Sequence, residues 1–235
     1  MTSIIIRVKN ERENLDKLFK ILKNQTYQEF EIIVVNNNST DGSEKVAFDY
    51  FPKDRVQIVR ISSFSYPRAC NLGAEKSKGK YLAYLSAHSF PVSNTWLEDG
   101  LSNFKDEKAA GVSCPIPSVN STNAEKVLYG INNKIRVSKG VGLVNTNSII
   151  RRDLWKKHKF DENLKTAEDY EWAIYWKSKG YSIVNDLKFS VNHSHNLGVS
   201  GVITQELKRR KVTNKINKQF NTTKYQSFFH FIFNT

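Results

Sequence analysis

The sequence predicts an α/β protein built on a mainly parallel sheet with helices on both faces. Short apolar runs alternate with helical patterns through the first half of the chain. The apolar runs have no polar face, which is typical of strands that are buried on both sides. Polar residues follow these runs. Parallel sheets bind ligands beyond the carboxyl ends of their strands. The residues that follow the strands are therefore the first candidates for a functional site.

The elements of the first half follow one another as strand and helix. In chain order, we predict a strand at 3–8, a helix at 13–24, a strand within EFEIIVVNNN, a helix at 43–51, a strand at 56–61, a helix at 69–77 and a strand at 81–85. In the first helix, four apolar residues recur at helical spacing: Leu15, Leu18, Phe19 and Leu22. This alternation favours parallel strands joined by crossover helices.

The second half is less regular. Residues 109–114 are predicted to form a strand, 115–139 a long polar connection with a short helix, and 148–150 another strand. A helix is predicted at 168–179, with Trp172, Ala173 and Trp176 on one face. We expect one domain at 1–203 and a basic, aromatic, helical extension at 204–235.

The net charge of +13 favours an anionic partner. Much of the excess positive charge lies in the C-terminal extension, which contains seven Lys or Arg residues and a single acid, Glu206. A basic segment beside SFFHFIF can lie on an anionic membrane surface, or it can dock on the body or on a second subunit. A nucleic-acid-binding protein is not expected, because no binding motif accompanies the charge. The oligomeric state stays open.

Cysteine usage and hydropathy predict an ordinary cytoplasmic chain. Cys70 and Cys114 lack CxxC spacing, so we expect small core residues rather than a disulfide or a zinc site. The apolar run near the N-terminus is too short for a signal peptide, and none approaches the ~20 residues of a membrane span. Attachment to the inner face of the plasma membrane through the extension remains an option.

Three motifs together resemble family 2 glycosyltransferases. They are SIIIRVKNERENLDKLFKILKNQTYQEFEIIVVNNNSTDGS, FSYPRACNLGAEKSKGKYLAYL and TAEDYEWA, which occur in the order and at the spacing of that family across residues 3–196. The resemblance implies a GT-A fold and transfer of a sugar from a nucleotide donor, usually with inversion. It assigns Asp169 as the base that takes the proton of the acceptor hydroxyl, with Glu168 in support. Without it, both acids would simply complement a helix dipole.

The resemblance also assigns the donor side of the site. Arg7, Lys9, Asn10 and Glu11 follow the first strand, and the Asn10-Glu11 pair matches the nucleotide-binding edge of the family. Arg7 and Lys9 replace the Pro and the aromatic or small residue more usual there, and they add positive charge near the diphosphate. Asn36, Asn37 and Asp41 match the contacts to base and ribose, although the cluster can also be a turn with a helix cap. Asn36 stands where many members have Asp, which leaves the nucleotide open. Arg68 and Asn71 match the helix that precedes the fourth strand, where Arg68 either neutralises a phosphate or is an exposed arginine.

The loop after the fourth strand departs from the family. Ser86, Ala87 and His88 occupy the place of the Asp-x-Asp that holds Mg²⁺ or Mn²⁺ in most members. Tight Mg²⁺ binding is not expected without those carboxylates. His88 can bind a softer metal such as Mn²⁺, with His193 or His195 as further ligands, or contact the donor phosphate directly. Of these alternatives, we favour the one without a metal.

The sub-type with this loop resembles rhamnosyl-type glycosyltransferases of surface polysaccharide synthesis, such as capsule or lipopolysaccharide O-antigen. The implied acceptor is a hydroxyl of a glycan or lipid-linked glycan. Trp96 and Trp172 are the candidates for the acceptor side, although we favour packing over acceptor stacking for Trp96. UDP- and dTDP-sugars are the expected donors, and a CMP-sugar, which has less charge to neutralise, is an alternative. The missing carboxylates leave a second possibility, a catalytically weak relative that only binds sugar nucleotides or glycans.

Overall fold

The computed structural model describes residues 1–114, 137–139, 142–193 and 211–221. The strands are β1 (Thr2–Val8), β2 (Phe30–Asn36), β3 (Val56–Arg60), β4 (Tyr81–Ser86), β5 (Ser89–Pro91), β6 (Ala109–Ser113), β7 (Val137–Lys139), β8 (Asn147–Arg151), β9 (Ser182–Asp186) and β10 (Val191–His193). The helices are α1 (Arg12–Lys23), α2 (Tyr66–Lys76), α3 (Trp96–Ser102), α4 (Arg152–Lys157) and α5 (Glu168–Ser178), with 3-10 turns at Ser43–Asp49, Lys53–Arg55 and Asn103–Lys105. Residues 211–219 are also helical.

Within the described residues, eight strands form one sheet in the order β3-β2-β1-β4-β8-β6-β9-β7. Strand β1 runs parallel to both β2 and β4, and β2 runs parallel to β3. Strands β8 and β7 run antiparallel to their neighbours. Strands β5 and β10 form a separate antiparallel pair. The mainly parallel sheet predicted from the sequence is confirmed.

The unbroken apolar character of β1 follows from burial on both faces. Ile4 and Ile6 belong to a core that contains Leu15 and Leu18 of α1. Ile5 points to the other face, into a core that contains residues of α2 and α5. The carboxyl ends of β1, β2 and β4 are therefore held in place by helices on both sides.

The structure differs from the sequence prediction mainly in short elements. The helix expected at 43–51 is a 3-10 turn, and β5, α3, α4, β9 and β10 were not predicted. Elements this short complete too few turns or alternations to leave a periodic pattern. The predicted connection at 115–139 contains β7, and its predicted short helix lies outside the described residues. Both cysteines are free and buried, as expected.

The described part of the C-terminal extension packs against α5. Ile216 is buried in a small cluster with Ala167, Tyr170 and Ile174. The hydroxyl of Tyr170 donates to Oδ1 of Asn217 at 2.9 Å. The predicted boundary near residue 203 and the SFFHFIF segment lie outside the described residues. No helix in the described ranges is long and apolar enough to cross a membrane.

Candidate active site

Four polar segments meet at the carboxyl edge of β1, β2 and β4. Arg7 pairs in register with Val35 of β2 and with Ser86 of β4. The N–H of Ser86 donates to the carbonyl of Thr146, which brings the turn before β8 to the same edge. The segments are 7–11, 36–43, 86–88 and 145–146, and three of them were predicted from the sequence.

The turn after β1 is tied to the turn after β2. The N–H of Asn10 donates to Oγ of Ser39 at 3.0 Å, and the N–H of Thr40 donates to Oδ1 of Asn10 at 2.8 Å. The N–H of Glu11 donates to Oγ of Ser43 at 2.8 Å. Asn10 has a φ of 54°, a left-handed conformation that asparagine tolerates better than most residues. The Asn-Glu pair is therefore held rigidly beside the 36–43 turn.

Asn36 is buried, and both ends of its amide are bound within the protein. Its Nδ2 donates to Oε2 of Glu44 at 2.7 Å, and its Oδ1 accepts from the N–H of Ser39 at 2.9 Å. An aspartate could not donate to Glu44, so this carboxylate explains why asparagine suits the position. Hydrogen bonds from Arg60 and Asn36 lower the pKa of Glu44. The two bonds give Asn36 a role in shaping the turn.

Asp41 joins the starts of two helical segments. Its Oδ2 accepts from the N–H of Arg12 at 3.0 Å, and its Oδ1 accepts from the N–H of Ser43 at 2.9 Å. Burial opposes ionisation of Asp41, but the hydrogen bonds from Ser43 and Arg12 hold its pKa below the usual value. Lys9 is exposed nearby, and Asn37 is partly exposed. These two side chains lie at the surface of the edge.

In the loop after β4, His88 is bound to the turn after β1. Its Nδ1 lies 3.0 Å from Oε1 of Glu11, and its Nε2 lies 3.4 Å from Oγ of Ser86. Its ring stacks on His193 with centroids 4.9 Å apart, and Nδ1 of His193 lies 2.8 Å from Oγ of Ser89. Ala87 is buried in the core as a whole residue, which corrects its prediction as a donor contact. His195 lies outside the described residues.

The groups at this loop do not fit a hard divalent cation. Magnesium prefers several oxygen ligands in octahedral geometry. Glu11 supplies one carboxylate, and that carboxylate is bound to His88. Among the described residues, no three His, Cys, Asp or Glu side chains converge to hold a metal ion.

Asp169 lies in the first turn of α5, with its carboxylate fixed by backbone groups. Its Oδ2 accepts from the N–H of Asn145 at 2.9 Å, and its Oδ1 accepts from the N–H of Tyr170 at 2.7 Å. Ala167, directly before the helix, has a φ of 65°, which turns the chain sharply into α5. The acidic pair therefore has a defined orientation at the start of the helix.

Glu168 is almost fully buried beside Asp169. Burial and the charge of Asp169 raise its pKa to about 7, against the opposing effect of Arg7. Arg7 donates from Nη1 to Sγ of Cys70 at 3.3 Å and from Nη2 to the carbonyl of Asn145 at 3.1 Å. Sequence reasoning did not identify Asn145. Its signal was a polar turn directly before a strand, VNTNSII, which has meaning only once β8 is known to pair with β4.

Some predicted site residues lie in the scaffold instead. Trp96 and Trp172 are fully buried, which corrects their assignment to the acceptor side and, for Trp96, agrees with the packing alternative that the sequence favoured. Their indole N–H groups donate to Asn147 and to the carbonyl of His158. Burial of these large apolar rings stabilises the core, which is why both indoles lie there instead of at the surface.

Asn71 is also buried and does not face the donor side. Its amide donates to the carbonyl of Phe160 and to Glu162, and it accepts from Trp155 and from the N–H of Phe160. This residue therefore secures the 155–162 segment, which corrects its prediction as a donor contact. Arg68 is exposed and pairs with Glu162 at 3.3 Å.

The chain matches known glycosyltransferases. The sequence model described as Glycosyl transferase family 2 matches residues 3–163. Glycosyltransferase AglE of Haloferax volcanii is 30% identical over 193 residues, which are 77% of this chain and 62% of the relative. The O-antigen chain rhamnosyltransferase WbaN of Salmonella anatum is 25% identical over 193 residues, covering 76% of this chain and 61% of the relative. The chain thus spans less than two thirds of the length of these relatives.

The fold matches a solved structure of the mannosyltransferase PcManGT from Pyrobaculum calidifontis in complex with GDP-Man and Mn²⁺. The TM-score is 0.69 at 18% identity, and the match covers 82% of this chain and 56% of that chain. This likeness shows the fold, which is the GT-A fold that the sequence motifs implied.

Proposed function

The chain belongs to glycosyl transferase family 2, and from that premise we propose that it transfers a sugar, with inversion, from a nucleotide-sugar donor to a hydroxyl of a glycan or lipid-linked acceptor. The process would be the synthesis of a bacterial-type surface polysaccharide. The rhamnosyltransferase among its relatives supports this context.

The orientation of Asp169 is the observation that carries the proposal. Its carboxylate is held by the N–H of Asn145 at the same sheet edge as Asn10, Glu11 and His88. Each carboxylate oxygen has two lone pairs, so a backbone hydrogen bond leaves a position free for the proton of an acceptor hydroxyl. In a single displacement, Asp169 takes that proton while the acceptor oxygen attacks the anomeric carbon and the nucleotide leaves.

The donor nucleotide would bind across the turns after β1 and β2. The segments 10–11 and 37–41 present polar groups to the nucleoside. Lys9 is exposed, and its ammonium can approach the diphosphate. We propose that His88 contacts a diphosphate oxygen from the Nε2 side of its ring, since Glu11 holds the other ring nitrogen and orients the imidazole.

A direct test combines donor binding with transfer. The full chain is screened against UDP-, dTDP-, GDP- and CMP-sugars by thermal shift, and donor consumption is then followed by chromatography with a glycan acceptor. We expect Asp169→Asn to reduce transfer by at least about 10³-fold while nucleotide binding is retained. The matched control is Asp54→Asn. It changes an exposed carboxylate in the turn directly before β3, at the amino end of that strand, and should leave transfer unchanged.

The outcomes separate the two candidate functions. Retained transfer in Asp169→Asn would refute the role of this base. Nucleotide binding by the natural chain without transfer or donor hydrolysis would instead favour a binding protein, for which the missing Asp-x-Asp at 86–88 is the specific argument. Nuclear magnetic resonance of the anomeric proton in the first product reports inversion or retention.

The C-terminal segment supports an acceptor at a membrane surface. Its apolar residue Ile216 faces α5, while Lys211, Lys215 and Lys218 are exposed. Such a cationic face is attracted to anionic lipids. Sedimentation with vesicles of phosphatidylglycerol, compared with phosphatidylcholine, tests this. The triple change of these lysines to Glu should abolish binding, and equal binding to both vesicles would contradict the proposal.

A further inference from the structure

We propose that Arg7 is a positioning residue for the Glu168 and Asp169 pair, fixing the Asn145 backbone that holds Asp169 and supplying the positive charge opposite both carboxylates. This role replaces the direct contact with the donor diphosphate that the sequence suggested. It rests on the proposed function, since Asp169 is taken as the base.

The direction of the side chain is set by the alternation of β1. Arg7 follows Ile5 on the face that packs against α2 and α5, whereas Ile6 and Val8 face α1. Its guanidinium is partly buried between Cys70 and Asn145, and it lies over the ring of Tyr66 at 5.4 Å. Both terminal nitrogens of Arg7 are therefore bound within the protein, and its positive charge lies near the first turn of α5.

A continuous chain of hydrogen bonds leads from Arg7 to Asp169. Nη2 of Arg7 donates to the carbonyl of Asn145, and the N–H of the same residue donates to Oδ2 of Asp169. The side chain of Asn145 is fixed as well, because its Oδ1 accepts from Oγ of Ser148 at 3.0 Å. Loss of the guanidinium would therefore remove the hydrogen bond to the carbonyl of Asn145, the residue whose N–H holds the carboxylate of Asp169.

The charge of Arg7 is directed at the two carboxylates. The groups that face it are Glu168 and Asp169 on α5, Cys70 and Tyr66 on α2, and Tyr84 on β4. Burial raises the pKa of the Cys70 thiol to about 12 and raises that of Tyr84, so both stay neutral at physiological pH.

Arg7 itself remains charged despite its burial. Burial opposes its charge, but the negative charges of Glu168 and Asp169, and that of Cys70 once its thiol ionises at high pH, raise the pKa of the guanidinium. Two carboxylates side by side disfavour each other's ionisation, and a fixed cation offsets that repulsion. Arg7 is accordingly the charged group that lowers the pKa of Glu168 against burial and against Asp169, and hydrogen bonds from the Glu168 backbone and the Asn145 side chain act in the same direction.

The test uses two variants that separate charge from geometry. Arg7→Met removes both, whereas Arg7→Lys keeps a cation but cannot bridge Cys70 and Asn145. Lys53→Met, at an exposed turn, is the control for a change in net charge. The ionisation of Glu168 is followed in the full chain by the ¹³C shift of its side-chain carboxyl, assigned with Glu168→Gln.

We expect Arg7→Met to move the midpoint of Glu168 to higher pH by about one unit, and Arg7→Lys to retain most of the natural value. Both variants should lower kcat, Arg7→Met by about 10²-fold, while the donor KM stays within about threefold. The acid limb of the rate profile should move to higher pH in Arg7→Met only.

An unchanged midpoint in Arg7→Met would overturn the proposal. So would a large rise in donor KM with kcat retained, since that pattern indicates a contact to the donor phosphate. If the natural chain has no transferase activity with any donor, the proposed function fails, but the titration of Glu168 still decides the electrostatic role of Arg7.

Discussion

Nδ1 of His88 lies 3.0 Å from Oε1 of Glu11, across 77 positions of sequence. The pair joins the loop after β4 to the turn after β1, at the place where this chain has Ser86, Ala87 and His88 instead of an Asp-x-Asp. A histidine held this way presents its other nitrogen with a defined direction, which is the requirement for recognising a phosphate oxygen.

Removal of His88 should weaken donor binding. We expect His88→Ala to raise the dissociation constant of the nucleotide sugar about 10- to 100-fold, because a charge-assisted hydrogen bond contributes roughly 1.5–3 kcal/mol. Isothermal titration calorimetry measures it. His158→Gln, which changes a histidine paired with Glu171 rather than with Glu11, should bind normally, and equal affinity in both variants would exclude His88 from the donor site.

Donor binding should depend little on divalent cations. The 86–88 loop has no carboxylate, and Glu11 is engaged by His88. We expect EDTA to change the dissociation constant by less than about threefold, which is under ~1 kcal/mol. The same titration with added MnCl₂ is the comparison, and a tenfold or larger gain in affinity with Mn²⁺ would show that a metal takes part.

Glu168 should make stability fall as pH rises. Its pKa is raised from 4.5 to about 7 in the folded protein, so the folded state binds the proton more tightly than the unfolded state. This contribution is fully present below pH 4.5 and is lost as pH rises through 7. Glu168→Gln should therefore stabilise the protein at pH 8, by roughly 3 kcal/mol, and have little effect at pH 4.5. Thermal unfolding at both pH values measures this, and an equal effect at both would contradict the raised pKa.

Asn71 should matter for stability. Its buried amide makes four hydrogen bonds to the 155–162 segment, and Asn71→Ala leaves several of these partners unsatisfied. We expect a loss of about 2–4 kcal/mol in the free energy of unfolding. Arg68→Ala, which removes an exposed ion pair to the same Glu162, should cost less than about 1 kcal/mol. Denaturant titration decides, and a stable Asn71→Ala with weakened donor binding would restore the original prediction.

The C-terminal segment should depend on Ile216. Its side chain is buried against Tyr170 and Ile174 of α5. Ile216→Ala removes apolar contacts that contribute about 2 kcal/mol or more, so residues 211–221 should become more susceptible to limited proteolysis. Gln219→Ala, at an exposed position of the same helix, is the control. Unchanged cleavage in Ile216→Ala would show that this packing does not hold the segment.

The sequence by itself determined the fold class and the edge that carries the site. Unbroken apolar runs such as β1 require burial on both faces, and that requirement places the following polar residues at one edge of a parallel sheet. The position of Asp169 at the start of a helix was also a local feature, visible in the pattern of α5. Such features depend on residues that are close in sequence, so the spacing of apolar and polar residues predicts them.

The tertiary structure alone decided which of these residues stay accessible at that edge and which are buried. Arg7 and Asn71 were both predicted as donor contacts, yet the guanidinium of Arg7 binds the carbonyl of Asn145 and the amide of Asn71 secures the 155–162 segment. Trp96 was open to either role until the packing of β8 and Phe189 enclosed it. Hydrogen-bond partners and burial arise from contacts between residues far apart in the chain, and no local pattern of residue types encodes them.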